Sequence, residues 1–307
     1  MAESERLLND TLSALGAVAL WGLAFPLIQI GLESFSPILL GFLRFVLASA
    51  ILIFVVLLRY PLKRIKSSIR TEWRSLLALG IFYVTIPNIA QNLGLENGTS
   101  SVASVIQSSG PVMTLVFAVI LLNEKMTKMK GLGTVVAMSG TILLVASGGF
   151  SLKDENFISN ILILISAASY GFAWVSAKRM LERNPPMLVI GLGLVIGTLL
   201  LAVTVPFEAD SKAIFTTDSL VNLGVLGIMC AGLSSVLYLR SLEKEEVSRM
   251  AFLIYLMPVF ASVFAWFLRG EGVAAWTIVC GAIIVLGIII ANRREKTLSQ
   301  GPSNQQK

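Results

Sequence analysis

Residues 108–126 read SSGPVMTLVFAVILLNEKM, an apolar run with a proline near its start and a glutamate near its end. The run is long enough to form most of a membrane-spanning helix, which needs about 20 mainly apolar residues. Proline inside a helix removes a backbone donor and clashes with the carbonyl four residues earlier, so Pro111 predicts a kink. Because hydrocarbon cannot hydrogen-bond a freed carbonyl, this helix is expected beside a polar cavity or packed against another helix.

The same pattern returns at residues 256–273, LMPVFASVFAWFLRGEGV. Pro258 precedes Glu271 by thirteen residues, as Pro111 precedes Glu124, and the triplet Val-Phe-Ala lies between proline and glutamate in both stretches. Offsets of 147 to 149 residues extend the match, pairing Gly22 with Gly171, Pro37 with Pro186, Leu79 with Leu226 and Gly140 with Gly287. The chain is therefore predicted to contain two copies of one unit.

Composition places both copies in a membrane. The chain is 55% hydrophobic and only 14% charged, with a mean hydropathy of +0.82, whereas soluble domains are about one-quarter charged. The predicted spans lie near residues 11–31, 36–58, 74–95, 99–122, 128–147, 157–178, 187–206, 219–240, 246–268 and 272–291.

Five spans in each copy make the second copy enter the membrane from the opposite side. The predicted fold is thus an all-α integral membrane protein with ten transmembrane helices in two inverted five-helix repeats around a central cavity. Residues 1–147 form the first repeat, residues 157–291 the second, and residues 292–307 a cytoplasmic tail.

The charges follow the loops. The net charge is +6, and the even-numbered gaps between spans hold most of the basic residues: Arg59, Lys63, Arg64, Lys66, Arg70, Arg74, Lys125, Lys128, Lys130, Lys178, Arg179, Arg183, Arg240, Lys244 and Arg249. The odd-numbered gaps hold only Lys153, Lys212 and Arg269. Since cytoplasmic loops carry the excess of Lys and Arg, we expect a multi-pass cell-membrane protein with both termini in the cytoplasm. This distribution leaves no basic patch for a nucleic-acid partner.

Arg44 is the charged side chain that lies well inside a predicted span. It is interpreted as a counter-ion for an anionic or zwitterionic solute, as a latch to a helix carbonyl, or as a side chain that reaches toward the headgroups. The chain has no histidine, and no Asp or Glu lies in the interior of a predicted span, since Glu246 is the first residue of its span. We therefore expect no metal site, no cofactor and no enzymatic activity, and solute exchange or facilitated diffusion in preference to obligatory proton coupling.

Other polar and aromatic side chains inside the spans suggest a solute site. Trp21 and Phe25 recur at four-residue spacing on the first span, as Tyr170 and Trp174 do at the matching positions of the sixth. Cavity lining and helix packing both fit this pattern. The predicted substrate-binding residues are Trp21, Arg44, Asn88, Gln91, Gln107, Ser108, Tyr170, Trp174 and Tyr255; the predicted kinks are at Pro26, Pro87, Pro111 and Pro258.

Glu124 and Glu271 stand at predicted helix ends, where a carboxylate can be hydrated. They are interpreted as gating or structural groups. The alternatives are a solvated loop charge or a partner for nearby Lys125 or Arg269.

The chain also resembles the drug/metabolite transporter superfamily, and in particular its EamA-type members. The similarity rests on WGLAFP at 21–26, LRFVLASA at 43–50, GPVMTLVFAVILLNEKMTKMKGLGTVVAMSG at 110–140 and a weaker second copy at 257–287. It implies ten helices in two inverted repeats around a substrate cavity, and transport of small metabolites, often outward.

The sequence thus favours a secondary carrier or facilitator, and an exporter, for small organic metabolites such as amino acids, working by alternating access. The expected partners are a small-molecule solute and the lipid bilayer, and a homodimer is compatible with the sequence. One alternative is a nucleotide-sugar or sugar-phosphate carrier, which would need several basic residues to meet phosphates, whereas the spans offer Arg44. A non-transporting membrane scaffold or a lipid-modifying enzyme is the other.

Overall fold

The computed structural model of the protein describes residues 2–96, 100–147, 154–208, 212–243, 245, 247–270 and 275–291, and these residues are nearly all helical. The helices, numbered along the chain, are α1 (Ala2–Leu32), α2 (Pro37–Arg59), α3 (Leu62–Glu96), α4 (in two pieces, Ser100–Gln107 and Gly110–Leu122), α5 (Lys128–Ser147), α6 (Asp154–Leu181), α7 (Pro186–Phe207), α8 (Thr217–Leu242), α9 (in three consecutive pieces, Val247–Ala251, Phe252–Leu256 and Met257–Arg269) and α10 (Ala275–Ala291).

Six of these helices, α1, α2, α3, α6, α7 and α8, are long and apolar enough to cross a membrane by themselves. Shorter apolar stretches lie in α4, α9 and α10. The chain is therefore a multi-pass membrane protein. The count of ten spans, the inverted arrangement of the two repeats and the cytoplasmic position of the termini stay predictions, and the tail at 292–307 lies outside the described residues.

Residues 59–74 carry many charges and are predicted to be a loop between two spans, but in the structure most of them are helical. Helix α3 begins at Leu62, twelve residues before the predicted span. Its first turns are too polar to register as an apolar span, yet they bury Ile65 and Ser68 at the three-residue spacing of a helix face. Amphipathic periodicity, and not apolarity, is what makes this segment helical.

The helices of the two halves are interleaved. Helix α1 packs mainly against α8 and α9, and its counterpart α6 packs mainly against α3 and α4. Helix α2 packs against α7 and α8, α7 packs against α2 and α3, and α5 packs against α10. Exchanging the first five helices with the last five maps each of these pairs onto itself or onto another pair in the set, so equivalent helices have equivalent neighbours.

Two matched glycines allow α1 to approach α9 closely, and α6 to approach α4. A Cβ atom added at Gly22 would lie 2.6 Å from the Cβ of Phe260 in α9, and one added at Gly171 would lie 3.0 Å from the backbone nitrogen of Thr114 in α4. Real Cβ atoms are not accommodated at such distances without a shift of the neighbouring helix. Small residues let helix backbones approach in membranes, where van der Waals packing drives association.

The prolines interrupt helices in more than one way. Pro111 and Pro258 lie in the first turn of restarted helical pieces, a position that tolerates proline because the first amides need no intrahelical partner. At Pro111 the predicted kink is a break followed by a new helix start, and at Pro258 it is a change from a 3₁₀ turn to an α-helix. The helix runs unbroken through Pro26, and Pro87 lies two residues after a π-helical turn at Gly80–Thr85.

Candidate functional site

A central cavity lies where the two halves meet. Its wall is formed by residues of α1, α2, α3, α4, α6, α8 and α9: Trp21, Ala24, Phe25, Arg44, Phe45, Tyr83, Gln91, Gln107, Gly110, Thr114, Ala167, Tyr170, Gly171, Trp174, Cys230, Ala231, Ile254 and Met257. Most of these are aromatic or small, and one of them, Arg44, is charged.

The cavity is small. The space open to the centres of water molecules measures about 60 Å³. A space of this size holds several water molecules or one small solute. That is the size of a small metabolite such as an amino acid.

Stacked aromatic rings form one side of the cavity. The rings of Trp21 and Trp174, which come from the equivalent helices α1 and α6, are stacked with their centroids 5.5 Å apart. Tyr238 lies 4.9 Å from Trp21 and 4.6 Å from Trp174, and Tyr83 lies 4.6 Å from Trp174. The Tyr83 hydroxyl is hydrogen-bonded to that of Ser235. The two halves therefore meet through aromatic faces at the cavity.

Arg44 supplies the positive charge of the cavity. Its side chain is only 4% exposed, and Nη2 donates a hydrogen bond to Oδ1 of Asn88. Asn88 is held in turn, because its Nδ2 donates to the carbonyl of Val84 at 2.7 Å. Within the described part of the chain, no carboxylate forms an ion pair with Arg44. A buried cation without an opposite charge is unfavourable, and a bound anionic group would relieve that cost.

Two buried polar atoms at the cavity wall lack a hydrogen-bond partner and have opposite character. Arg44 Nε is an unused donor, and Gln107 Oε1 is an unused acceptor. Buried polar atoms are nearly always paired, so an orphaned pair at one cavity indicates that something else completes it. A solute with a negative group and a donor group, such as a zwitterion, would satisfy both atoms.

The structure brings six of the nine predicted substrate-binding residues to the cavity wall. These are Trp21, Arg44, Gln91, Gln107, Tyr170 and Trp174. Asn88 lies behind the wall, where it positions Arg44. Whether any of them contacts a solute stays a prediction.

Ser108 and Tyr255 do not line the cavity, and the internal repeat explains both cases together. The two residues are equivalent at an offset of 147. Their neighbours Gln107 and Gly110 in α4, and the equivalent Ile254 and Met257 in α9, form the wall instead. Ser108 donates its hydroxyl to the carbonyl of Ser104 at 2.8 Å, and Tyr255 is fully buried with its ring 6.5 Å from that of Phe252.

The cavity also contains residues that the sequence analysis missed. Tyr83 and Cys230 line it from equivalent positions of α3 and α8, again at an offset of 147. Each lies in a π-helical segment, Gly80–Thr85 and Val225–Leu233, and such segments are frequent at functional sites. The position of the Tyr83 hydroxyl inside a long apolar segment could have indicated from the sequence that Tyr83 lines the cavity.

No group of three or more metal-binding side chains occurs in the part of the chain that the structure describes.

A glutamate ties the two halves together at the predicted outer end. Glu208, which follows α7, accepts hydrogen bonds from the Ser36 hydroxyl at 2.6 Å and from the amides of Ile38 at 2.7 Å and Leu39 at 3.1 Å. The amide of Ser36 also donates to the carbonyl of Lys212 at 2.9 Å. The carboxylate thereby caps the first turn of α2, where the amides have no partner within the helix.

A second glutamate has the corresponding role at the predicted cytoplasmic end. Glu124 Oε1 accepts a hydrogen bond from the amide of Val247 at 3.0 Å, at the start of α9, and Oε2 lies 3.7 Å from Lys130 Nζ. These contacts, with a side chain that is only 9% exposed, favour a structural role for Glu124 over that of a solvated loop charge. Glu271 lies outside the described residues, and its role stays a prediction.

The chain matches the EamA-like transporter family twice, over residues 11–146 and 157–293. A protein of Archaeoglobus fulgidus named an uncharacterized transporter is 29% identical over 285 residues, which cover 90% of this chain and 96% of that protein. A probable terminal-alkyne amino-acid exporter of Streptantibioticus cattleyicolor is 24% identical over 277 residues, covering 90% of this chain and 91% of the exporter.

A crystal structure of a protein with 21% sequence identity superposes on this fold with a TM-score of 0.76 and covers 92% of this chain and 96% of that chain. At this level of identity the likeness concerns the fold alone.

Proposed function

Because the chain belongs to the EamA-like transporter family, we propose that it is a secondary carrier that moves small zwitterionic metabolites, amino acids among them, by alternating access. The observation that carries this proposal is Arg44, buried at the wall of the central cavity with an unused Nε donor. Arg44 would bind the solute carboxylate, and Gln107 would accept a hydrogen bond from the ammonium group.

The size and composition of the cavity support this class of solute. The small cavity, with about 60 Å³ open to the centres of water molecules, favours a small amino acid over a nucleotide-sugar. A phosphorylated solute would also call for several basic groups, and Arg44 is the charged residue on the wall within the described chain. The aromatic faces of Trp21, Tyr170 and Trp174 would contact an apolar side chain. The exporter named among the relatives acts on an amino acid, which agrees with this assignment.

The equivalent packing of the two halves supports an inverted-repeat cycle. In such carriers the halves exchange conformations around a fixed site, which opens to one face and then to the other. The hydrogen bonds of Glu208 would have to break when the cavity opens to the outer face, and those of Glu124 when it opens to the cytoplasmic face. Export is the proposed direction, and exchange without obligatory proton coupling is the proposed mode, since the cavity wall contains no carboxylate or histidine in the described chain.

Counterflow in proteoliposomes tests the proposal, with the pH gradient collapsed and a panel of amino acids, their methyl esters, amines and simple carboxylates. We expect exchange of small neutral amino acids and a loss of about 10- to 100-fold when the carboxylate is esterified, because one charge-assisted hydrogen bond is then lost. Arg44→Gln should show the same loss for the amino acid and little further loss for the ester. Arg59→Gln, an exposed basic position outside the cavity, is the matched control.

Equal exchange of amino acid and ester, or full activity of Arg44→Gln, would refute the assignment of Arg44. Exchange that requires a proton gradient would refute the proposed mode while leaving the solute class standing.

A further inference from the structure

The first turns of α3 extend beyond what a membrane span requires. Helix α3 contains 35 residues from Leu62 to Glu96, about 52 Å at 1.5 Å per residue. The hydrocarbon core is about 30 Å thick, so roughly 14 residues have to lie outside it. The polar end is the first one, since Lys63, Arg64, Lys66, Arg70 and Arg74 all precede the apolar part of the helix.

One face of this extension is apolar and uncovered. Leu62, Ile69 and Trp73 are 62%, 41% and 52% exposed, and at 100° per residue they lie within about 40° of one another around the helix. The face that packs against α6 and α7 is a different one, where Ile65 and Leu76 are buried. An exposed stripe that includes a tryptophan has no reason to remain in water.

A basic stripe follows the apolar stripe along one flank. Lys66, Arg70 and Arg74 recur at four-residue spacing and are all exposed, which places them beside Leu62, Ile69 and Trp73 on the helix surface. The acidic residue of this segment, Glu72, lies on the other side and faces Arg183, with Oε1 3.6 Å from its Nη1. The uncovered surface is therefore apolar next to positive.

We propose that Leu62–Arg74, the interfacial segment, binds the headgroups of anionic phospholipids. Trp73 lies at the bilayer end of the segment, at the level of the headgroups, and Lys66, Arg70 and Arg74 contact the phosphates. Tryptophan is enriched at this depth of the bilayer. The chain's own tail is a poor occupant because residues 292–296 carry Arg293, Arg294 and Lys296, which the basic stripe would repel.

This inference requires the membrane placement of α3 and does not depend on the solute. It assigns a role to the basic residues of this segment beyond setting orientation. Because the segment continues directly into the helix that contributes Tyr83 and Gln91 to the cavity, a bound headgroup would fix one end of a cavity helix.

Quenching of Trp73 by brominated lipids tests the proposal with the full-length protein. The protein is reconstituted in phosphatidylcholine vesicles that contain a minor fraction of phosphatidylglycerol, with the bromine either on the phosphatidylglycerol or on an equal fraction of the phosphatidylcholine. The Trp73 signal is the difference between wild type and Trp73→Phe, and Trp276→Phe gives the same difference for another exposed tryptophan.

We expect brominated phosphatidylglycerol to quench Trp73 as if it were enriched about five-fold or more over its bulk fraction, since each nearby Lys or Arg contributes about that preference. The variant Lys66→Gln/Arg70→Gln/Arg74→Gln should bring the enrichment close to one. The matched control, Lys125→Gln/Lys128→Gln/Arg240→Gln, removes the same charge from other exposed positions and should leave it unchanged.

Raising the salt concentration about tenfold should abolish the enrichment in the wild type, a readout that needs no folded variant. Absence of quenching by either lipid would overturn the proposal, because the segment would then not touch the bilayer. Equal quenching by both lipids, or the same loss in the control variant, would also overturn it by showing that no anionic headgroup is selected.

Discussion

The two ends of the molecule are both tied by a glutamate, but the two carboxylates have different partners. At the predicted outer end, Glu208 accepts three hydrogen bonds from Ser36 and the first turn of α2. At the predicted cytoplasmic end, Glu124 shares its charge between the amide of Val247 and the ammonium group of Lys130. Each glutamate comes from one half of the chain and caps a helix of the other half.

The difference shows which contacts are not duplicated by the internal repeat. Glu124 has a repeat equivalent, Glu271, whereas the residue equivalent to Glu208 at the offset that aligns α2 with α7 is Arg59. Helix packing follows the duplication because apolar faces and glycines are kept in both copies. The contacts of Glu208 and Glu124 are not related by the repeat, so the free energy of opening can differ between the two ends.

The largest effect is expected for Glu124→Gln. The side chains of Glu124 and Lys130 are each 9% exposed, and removing one charge of a largely buried pair is destabilising. Because the two charged groups are 3.7 Å apart and partly exposed, we expect the free energy of unfolding to fall by about 2 kcal/mol, less than the 3–5 kcal/mol of a fully buried pair. The midpoint of thermal unfolding in detergent measures it, and a fall of roughly 4 °C corresponds to this loss.

The control for this prediction is the double variant Glu124→Gln/Lys130→Gln, which should recover at least half of the lost stability because no buried charge remains at the site. A double variant that is less stable than the single one would show that Lys130 is not coupled to Glu124.

A smaller effect is expected for Glu208→Gln. The amide oxygen of glutamine can still accept, but an NH2 group replaces the second oxygen and can only donate, so the cap of α2 is weakened by about 1 kcal/mol. Opening of the outer end should rise about five-fold. The reactivity of the Cys230 thiol measures this, because Cys230 lines the cavity and is 4% exposed. The background variant is Cys280→Ala, and the thiol reagent is added from outside.

Glu124→Gln in the same background is the comparison, since it should leave the outer labelling rate unchanged. Faster outer labelling in both variants would mean that the two ties act on one common opening.

The smallest effect is expected for Ser36→Ala, which removes one of the three hydrogen bonds to Glu208 and leaves both amide bonds in place. We expect a loss of about 0.5 kcal/mol and labelling of Cys230 about two-fold faster. If Ser36→Ala matched Glu208→Gln in labelling rate, the hydroxyl and not the helix amides would be the main partner of the carboxylate.

Sequence reasoning reached the membrane class, the duplication and most of the cavity aromatics because these depend on composition and on spacing within one helix. Ser108 and Tyr255 were misplaced because α4 breaks next to Pro111 and α9 tightens into a 3₁₀ turn before Pro258. Where the helix is interrupted or tightened, residues no longer recur at 3.6 per turn, so a side chain predicted to point into the cavity points elsewhere.

Glu208 was missed for a different reason. Its partner Ile38 lies 170 residues away, and only the folded chain brings the two loops together. No periodicity within either loop signals the contact, because the tie depends on where two distant helix ends meet.

The interleaving of the halves has a consequence for biosynthesis. Helix α1 leaves the ribosome before its main neighbours, α8 and α9, have been made. At about 5–20 residues per second, roughly 10 to 40 s pass between the synthesis of α1 and that of α8. During this interval the aromatic face of α1 lies in the bilayer without its native neighbours, so a chain truncated before α8 retains helices but cannot enclose the cavity.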